Sequence, residues 1–152
     1  MQADQSSAIT RVVLSSDPMA VREALCALVD RLMVGPMEED TRDTAQLVLA
    51  EALNNIVEHA YAQTSGEIEV TLEVSAQGLT CRIVDQGQPM PNGELPAGHL
   101  PSAQGGAVAL DDLPEGGFGW HLIRTLSQDL SYRRIGTENL LTFRIESKQS
   151  PQ

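Results

Sequence analysis

The chain is expected to fold as an α+β two-layer sandwich, with helices packed on one face of a mainly antiparallel, mixed β-sheet. Three features of the sequence lead there. Apolar residues recur at three- and four-residue steps in two long early segments, the mark of amphipathic helices. They alternate with polar residues in later segments joined by turn-forming residues, the mark of strands with one buried face. A stretch rich in Pro, Gly and Ala, with no sustained period, separates the first strand pair from a last helix and strand pair.

Taken in order, ITRVVLSS (Ile9 to Ser16) has the β-branched content of a strand. Ser16 or Asp17 then supplies a helix N-cap and Pro18 fits the first turn, after which Val21, Leu25, Leu28, Val29 and Leu32 mark one apolar face. Gly35 and Pro36 end that helix. From Asp40 to Ala62 the spacing of Ala45, Val48, Leu49, Ala52, Leu53, Ile56, Val57 and Ala60 predicts one longer helix. IEVTLEV (Ile68 to Val74) and LTCRIVD (Leu79 to Asp85), separated by SAQG, read as a hairpin. Residues 86–117 form a loop too long to be mere connection, of the kind that is functional or disordered. A helix is expected over Gly119 to Leu130 with Leu122, Ile123 and Leu126 inward, followed by strands LSYRR and NLLTFRI around a turn at Gly136. A single domain over residues 9–146 is expected, with residues 1–8 and 147–152 as flexible tails.

Composition narrows the function. With 152 residues, 41% of them hydrophobic, the chain suits one domain with a sizeable core. Ten Lys and Arg against 21 Asp and Glu, a net charge of -11, argue against a broad contact with nucleic acid phosphates. No apolar run is long enough to span a bilayer, and MQADQSSAIT lacks the basic start and apolar stretch of a secretory signal. A soluble cytoplasmic protein without membrane contact is expected. Cys26 and Cys81 fall within apolar patterns rather than at metal-ligand spacing, which reads most simply as two buried thiols in a reducing compartment.

Three clusters could carry chemistry. In EALNNIVEHAY, Glu51, Asn55 and His59 stand four residues apart and line one helix face, with Asn54 and Glu58 beside them. A solvated face is the ordinary reading of such a stripe. Against it, adjacent amides are poor helix formers, and the face carries no Lys or Arg to pair with its acids. In VDQGQP, Asp85 ends a buried-looking strand and Gly87 follows, a pattern that alone describes many turns. In PEGGFGWHLI, glycines 116, 117 and 119 lead into a helix, where small residues admit a ligand and free N–H groups suit a phosphate.

Together and in this order, the clusters resemble the nucleotide-binding superfamily of gyrases, MutL proteins, heat-shock chaperones and histidine kinases. Within it the sequence is most similar to the anti-sigma-factor serine kinases of bacterial partner-switching modules. EALNNIVEHAY looks like their N box, IVDQGQP like their first glycine box, and GGFGWHLIRTLSQDLSY with GTENLLTFRI like their second box and closing strands. The likeness runs from Ile9 to Ile145 and implies the histidine-kinase-like ATPase (Bergerat) fold.

The resemblance also implies roles. Asn55 matches the amide that ligates Mg2+ on the phosphates of ATP, and Glu51 the acid that accepts the proton of an incoming serine hydroxyl. Asp85 matches the carboxylate that accepts from the adenine amino group, with Gly87 admitting the base. Gly117 and Gly119 match the turn that cradles the phosphates, and Phe118, Trp120 and His121 belong to the same cofactor-binding segment. His59 is given a supporting place, and the loop from Gln88 to Glu115 would cover ATP or ADP as a lid. The implied reaction is phosphoryl transfer from Mg-ATP to a serine of an anti-anti-sigma antagonist with a STAS domain. A sigma factor would be the competing partner, and the family usually acts as homodimers. Several positions depart from the pattern: Glu115 replaces the first glycine of G-x-G-x-G, Met90 stands where Phe is common, Trp120 and His121 where aliphatic residues or Phe are more usual, and the lid has no Lys or Arg.

Three other readings fit parts of the sequence. A histidine-kinase catalytic domain shares the boxes, but the chain leaves no room for a dimerisation and phosphoacceptor domain. A nucleotide-dependent anti-sigma binding module without transfer would keep Asn55 and make Glu51 dispensable. A zinc site from His59, His99 and His121 has suitable residue types without a known ligand spacing.

Overall fold

The computed structural model describes residues 8–35, 37–96 and 117–147. The order is β1 (Ala8–Ser15), α1 (Pro18–Val34), α2 (Glu39–Asn55) with a π-helical turn (Ile56–Ala60), β2 (Glu67–Ser75), β3 (Gly78–Asp85), a short 3-10 turn (Pro91–Gly93), α3 (Gly117–Leu126), β4 (Gln128–Ile135) and β5 (Glu138–Glu146). The strands form one sheet in the order β1-β2-β3-β5-β4. Every ladder of that sheet is antiparallel.

Side-chain alternation sorts the sheet into a covered and an open face. Ile68, Val70 and Leu72 of β2, Leu79, Cys81 and Ile83 of β3, and Leu141, Phe143 and Ile145 of β5 are buried. They share one core with Leu28, Leu32, Val48, Leu49, Leu53 and Ile123 of the helices. Residues of opposite phase, such as Thr80, Arg82 and Glu73, are exposed. The expected two-layer sandwich is therefore the observed one. Asp17 is the cap of α1, its side chain accepting from the Ala20 amide at 2.9 Å.

The register decides where the site forms. β3 and β5 pair so that Asp85 lies directly opposite Asn139. Both are inward-phase positions, and both are buried polar residues at 4% exposure. Two polar side chains thus replace apolar ones at the same end of an otherwise apolar layer.

Three sequence expectations need correction. The long helix does not run unbroken to Ala62: its α-helical part ends at Asn55, and the next turn widens, with the Tyr61 amide donating to the Ile56 carbonyl five residues back at 3.0 Å. The last helix stops at Leu126 rather than Leu130. The Ser127 hydroxyl donates to the Ile123 carbonyl at 2.5 Å, and Asp129 takes a φ of 53° where the register of β4 shifts. Cys81 is buried and free, its thiol pushed well up by burial, but Cys26 is exposed on α1. Among the described residues no helix is long and apolar enough to cross a membrane.

Candidate active site

The site begins on the last two turns of α2. Glu51 is half-buried and Asn55 is buried at 5% exposure, one turn further along. α3 packs across them. A Cβ placed on Gly119 would sit 2.6 Å from Glu51 Oε2 and 3.6 Å from Asn55 Nδ2, so the glycine lets the helix start rest directly on the acid and the amide. Gly117 and Gly119 both fall in the first turn of α3, where backbone N–H groups have no intrahelical acceptor and the helix dipole favours an anion.

Asn55 Nδ2 is a buried polar atom without a hydrogen-bond partner among the described residues. Such an atom carries a desolvation cost of about 1–3 kcal/mol unless something binds there. A half-turn of the amide exchanges its nitrogen and oxygen, so this position offers a donor to a phosphate oxygen or a carbonyl to a cation. Magnesium keeps most of its waters and needs few protein ligands. The residues present therefore fit a magnesium-bearing phosphate, and Asn55 is the side chain that would hold the ion. Among the described residues no cluster of three or more His, Cys, Asp or Glu could hold a metal.

The π-helical turn joins this half of the site to the other. Its last carbonyl, that of Ala60, accepts from the Gln88 amide at 2.8 Å. A Cβ on Gly87 would meet the same carbonyl oxygen at 2.4 Å, so the turn after β3 can close against the helix only with glycine there. Tyr61 adds a second clasp, its hydroxyl accepting from the Gln86 amide at 2.8 Å and donating to the Glu67 carbonyl at 2.7 Å. His59 and Glu58 are exposed, so His59 does not share the partly buried setting of Glu51 and Asn55 that a straight helix implied.

At the far half, Asp85 Oδ1 accepts from the Gly87 amide at 2.9 Å and from Asn139 Nδ2 at 2.7 Å. Asn139 Oδ1 in turn accepts from Tyr132 Oη at 2.5 Å and Arg134 Nη1 at 3.1 Å. Arg134 also donates to the Gly87 carbonyl at 2.8 Å, and the Tyr132 hydroxyl accepts from the Met90 amide at 2.9 Å. Burial raises the Asp85 pKa above the ordinary aspartate value, against the opposing pull of the Asn139 and Gly87 hydrogen bonds and the Arg134 charge.

Sequence reasoning passed over Asn139, Tyr132, Arg134 and Tyr61. For Asn139 there was a signal: it is in phase with Leu141, Phe143 and Ile145, so the strand pattern already placed an amide on the buried face. Other candidates fall differently. Trp120, at 3% exposure, belongs to the hydrophobic core. His121 is half-buried, with Nε2 3.3 Å from Thr125 Oγ1 one turn on. Arg124 is directed to the carbonyls of Pro96 and Leu95, at 2.9 and 3.3 Å. Residues 1–7 and 148–152 of the expected tails, Gly116, and residues 97–115 of the expected lid, His99 and Glu115 among them, lie outside the described residues, as does the side chain of Phe118. Of the tails, Ala8 pairs with Val74 in β1 and the Ser147 amide donates to the Gln77 carbonyl at 3.0 Å.

The two close approaches predict different outcomes for the same substitution. Gly87→Ala drives a methyl group into backbone and should cost about 1–3 kcal/mol of stability, as overpacking does. Gly119→Ala meets only the end of the Glu51 side chain and gains helix propensity, so its stability should stay within about 1 kcal/mol of wild type. Urea denaturation of both variants checks the contrast.

An acid and an amide thus lie under a glycine-opened helix, beside an Asp-x-Gly turn closed by the same helical segment. The family described as "Histidine kinase-like ATPase domain" matches residues 14–145. The sequence is 30% identical over 111 residues to serine-protein kinase RsbW of Bacillus mycoides (strain KBAB4), covering 72% of this chain and 68% of that protein. It is 28% identical over 130 residues to serine-protein kinase RsbW of Bacillus cereus (strain AH820), covering 85% and 78%. The chain therefore belongs to the histidine kinase-like ATPase family and, within it, to the RsbW relatives. Among solved structures it is similar in fold to the RsbU and RsbW domains of a Mycobacterium tuberculosis protein, with a TM-score of 0.64 at 15% identity, over 94% of this chain and 34% of that longer one.

Proposed function

We propose that this chain is a Mg-ATP-dependent protein serine kinase. Its substrate is a serine of an anti-anti-sigma antagonist with a STAS domain, and it exchanges that antagonist for a sigma factor as a cytoplasmic homodimer. The carrying observation is the junction of Glu51, Asn55 and Gly119, where a carboxylate and an unpartnered buried amide lie beneath a helix start. The serine-protein kinase names of the relatives support the same reading.

In the proposed reaction the serine oxygen forms a bond to the γ-phosphorus while the bond from that phosphorus to the β-γ bridging oxygen breaks. The serine proton passes to Glu51, and ADP leaves with the bridging oxygen. Magnesium, held by Asn55, would neutralise phosphate charge. The free N–H groups of the first turn of α3 would bind phosphate oxygens, and Asp85 with Gly87 would hold adenine at the other end. Asp85 must be ionised to accept from the 6-amino group, so affinity for ATP should fall on acidification, beginning above the ordinary aspartate range because burial raises this carboxyl.

The test is to recover the partner that co-purifies with the chain from its own cell and incubate both with Mg-ATP. Phosphoserine on the partner, found by mass spectrometry, is the expected result. A stable complex with nucleotide bound and no phosphate transferred would instead make the chain a binding module.

A further inference from the structure

We propose that Asn139 is a positioning residue for purine recognition: it fixes Asp85 Oδ1 as the oxygen that serves the protein, so that Oδ2 is the oxygen presented to the 6-amino group of the base. The inference rests on the reading of Asp85 as the base-binding carboxylate and adds the group that orients it.

The orientation of the Asn139 amide follows from the chemistry of its neighbours. On one side Nδ2 faces Asp85 Oδ1 at 2.7 Å, the Gln88 carbonyl at 3.0 Å and the Gly87 carbonyl at 3.3 Å, all acceptors. On the other, Oδ1 faces Arg134 Nη1 at 3.1 Å and Tyr132 Oη at 2.5 Å. A guanidinium can only donate and a carbonyl can only accept, so the reversed amide would set donor against donor and acceptor against acceptor. The amide is therefore held one way round, in a position at 4% exposure.

This asymmetry passes to Asp85. Its Oδ1 already receives the Gly87 and Asn139 N–H groups, which together occupy both lone pairs of that oxygen. A base arriving at the turn has Oδ2 to meet. An ionised Oδ2 accepts from a 6-amino group, whereas a 6-oxo group would present an acceptor to an acceptor. Asn139 also spans the Gly87 and Gln88 carbonyls, holding the backbone against which the base must lie. Without that amide the carboxylate keeps only the Gly87 N–H, and one hydrogen bond does not fix its plane.

Base selectivity separates this role from a merely structural one. Calorimetric titration with Mg-ATP and with Mg-ITP, its 6-oxo analogue, should show wild type favouring ATP by roughly ten- to a hundredfold, the worth of one hydrogen bond to a charged group. Asn139→Leu removes the donor, and Asn139→Ser places its hydroxyl about one bond short of Asp85 while leaving room for water, so that it folds if the leucine variant does not. Both should bring the ATP to ITP ratio to about threefold or less. Variants that weaken both nucleotides equally, keeping the wild-type ratio, would overturn the inference. Failure of the underlying reading looks different: wild type itself would bind neither nucleotide, or bind both alike.

Discussion

Asp85→Asn is expected to abolish nucleotide binding in a protein that is as stable as wild type or more so. The amide keeps an oxygen for the Gly87 and Asn139 N–H groups but puts an NH2 where the second carboxylate oxygen stood. Facing the 6-amino group, it sets donor against donor. The loss of a hydrogen bond to a charged group costs about 1.5–3 kcal/mol, and the added mismatch takes the fall in affinity beyond roughly 100-fold. Stability moves the other way. Burial raises the Asp85 pKa above its unfolded value, so this carboxyl favours the folded state fully below the unfolded pKa and loses that contribution as pH rises through the folded one. At neutral pH the wild type holds a buried charge that the amide lacks. Urea midpoints should therefore favour Asp85→Asn near neutrality, with the advantage shrinking toward about pH 4, where free aspartate titrates. A variant that unfolds more readily at every pH would contradict this account of the carboxylate.

Glu51→Gln should separate binding from transfer. The side chain keeps its shape under Gly119, so nucleotide affinity is expected to persist. Losing the base should slow transfer to the partner serine about 10²- to 10⁴-fold, the usual contribution of general base catalysis. Single-turnover transfer, followed by the phosphate gained on the partner, measures it. Equal rates in wild type and variant would remove Glu51 from the chemistry and leave it as packing beneath α3. Gly119→Ala should lie between the two proteins, because its methyl group displaces the carboxylate without removing it.

How much of this could be read beforehand depended on the interaction involved. The order of strands and helices was legible because burial leaves a period: Ile68, Val70 and Leu72 alternate, and Val48, Leu49, Ala52 and Leu53 follow the helical step. The widening at Ile56–Ala60 was not, since IVEHA keeps an apolar pattern that suits an ordinary helix. What distinguishes that turn is tertiary, the contact of the Ala60 carbonyl with Gly87 and Gln88 from 27 and 28 residues further along the chain. The helix after the glycines is shorter than its periodicity suggests for a related reason. Leu126 and Leu130 stand at a helical step, and the bond of Ser127 back to Ile123 leaves no mark on periodicity.

The site divides in the same way. Glu51, Asn55, Asp85, Gly87 and Gly119 were visible because acids, amides and glycines are conspicuous in apolar surroundings. The structure brings Glu51, Asn55 and Gly119 to one end of the π-helical turn and Asp85 and Gly87 to the other. Trp120 directly follows the glycines, and its side chain is part of the core. Asn139 and its partners were missed because their importance lies in pairing across strands. Register brings Asn139 opposite Asp85, and nothing local to either segment states that register.

The central claim, that the junction of α2 and α3 binds the magnesium and phosphates of ATP, is tested most directly by calorimetric titration of ATP into wild type and Asn55→Ala, each with magnesium and with EDTA. Tight binding is expected only for wild type with magnesium, with a loss of roughly 100-fold or more on removing either the ion or the amide, about 3 kcal/mol. Equal affinity in all four titrations would contradict it.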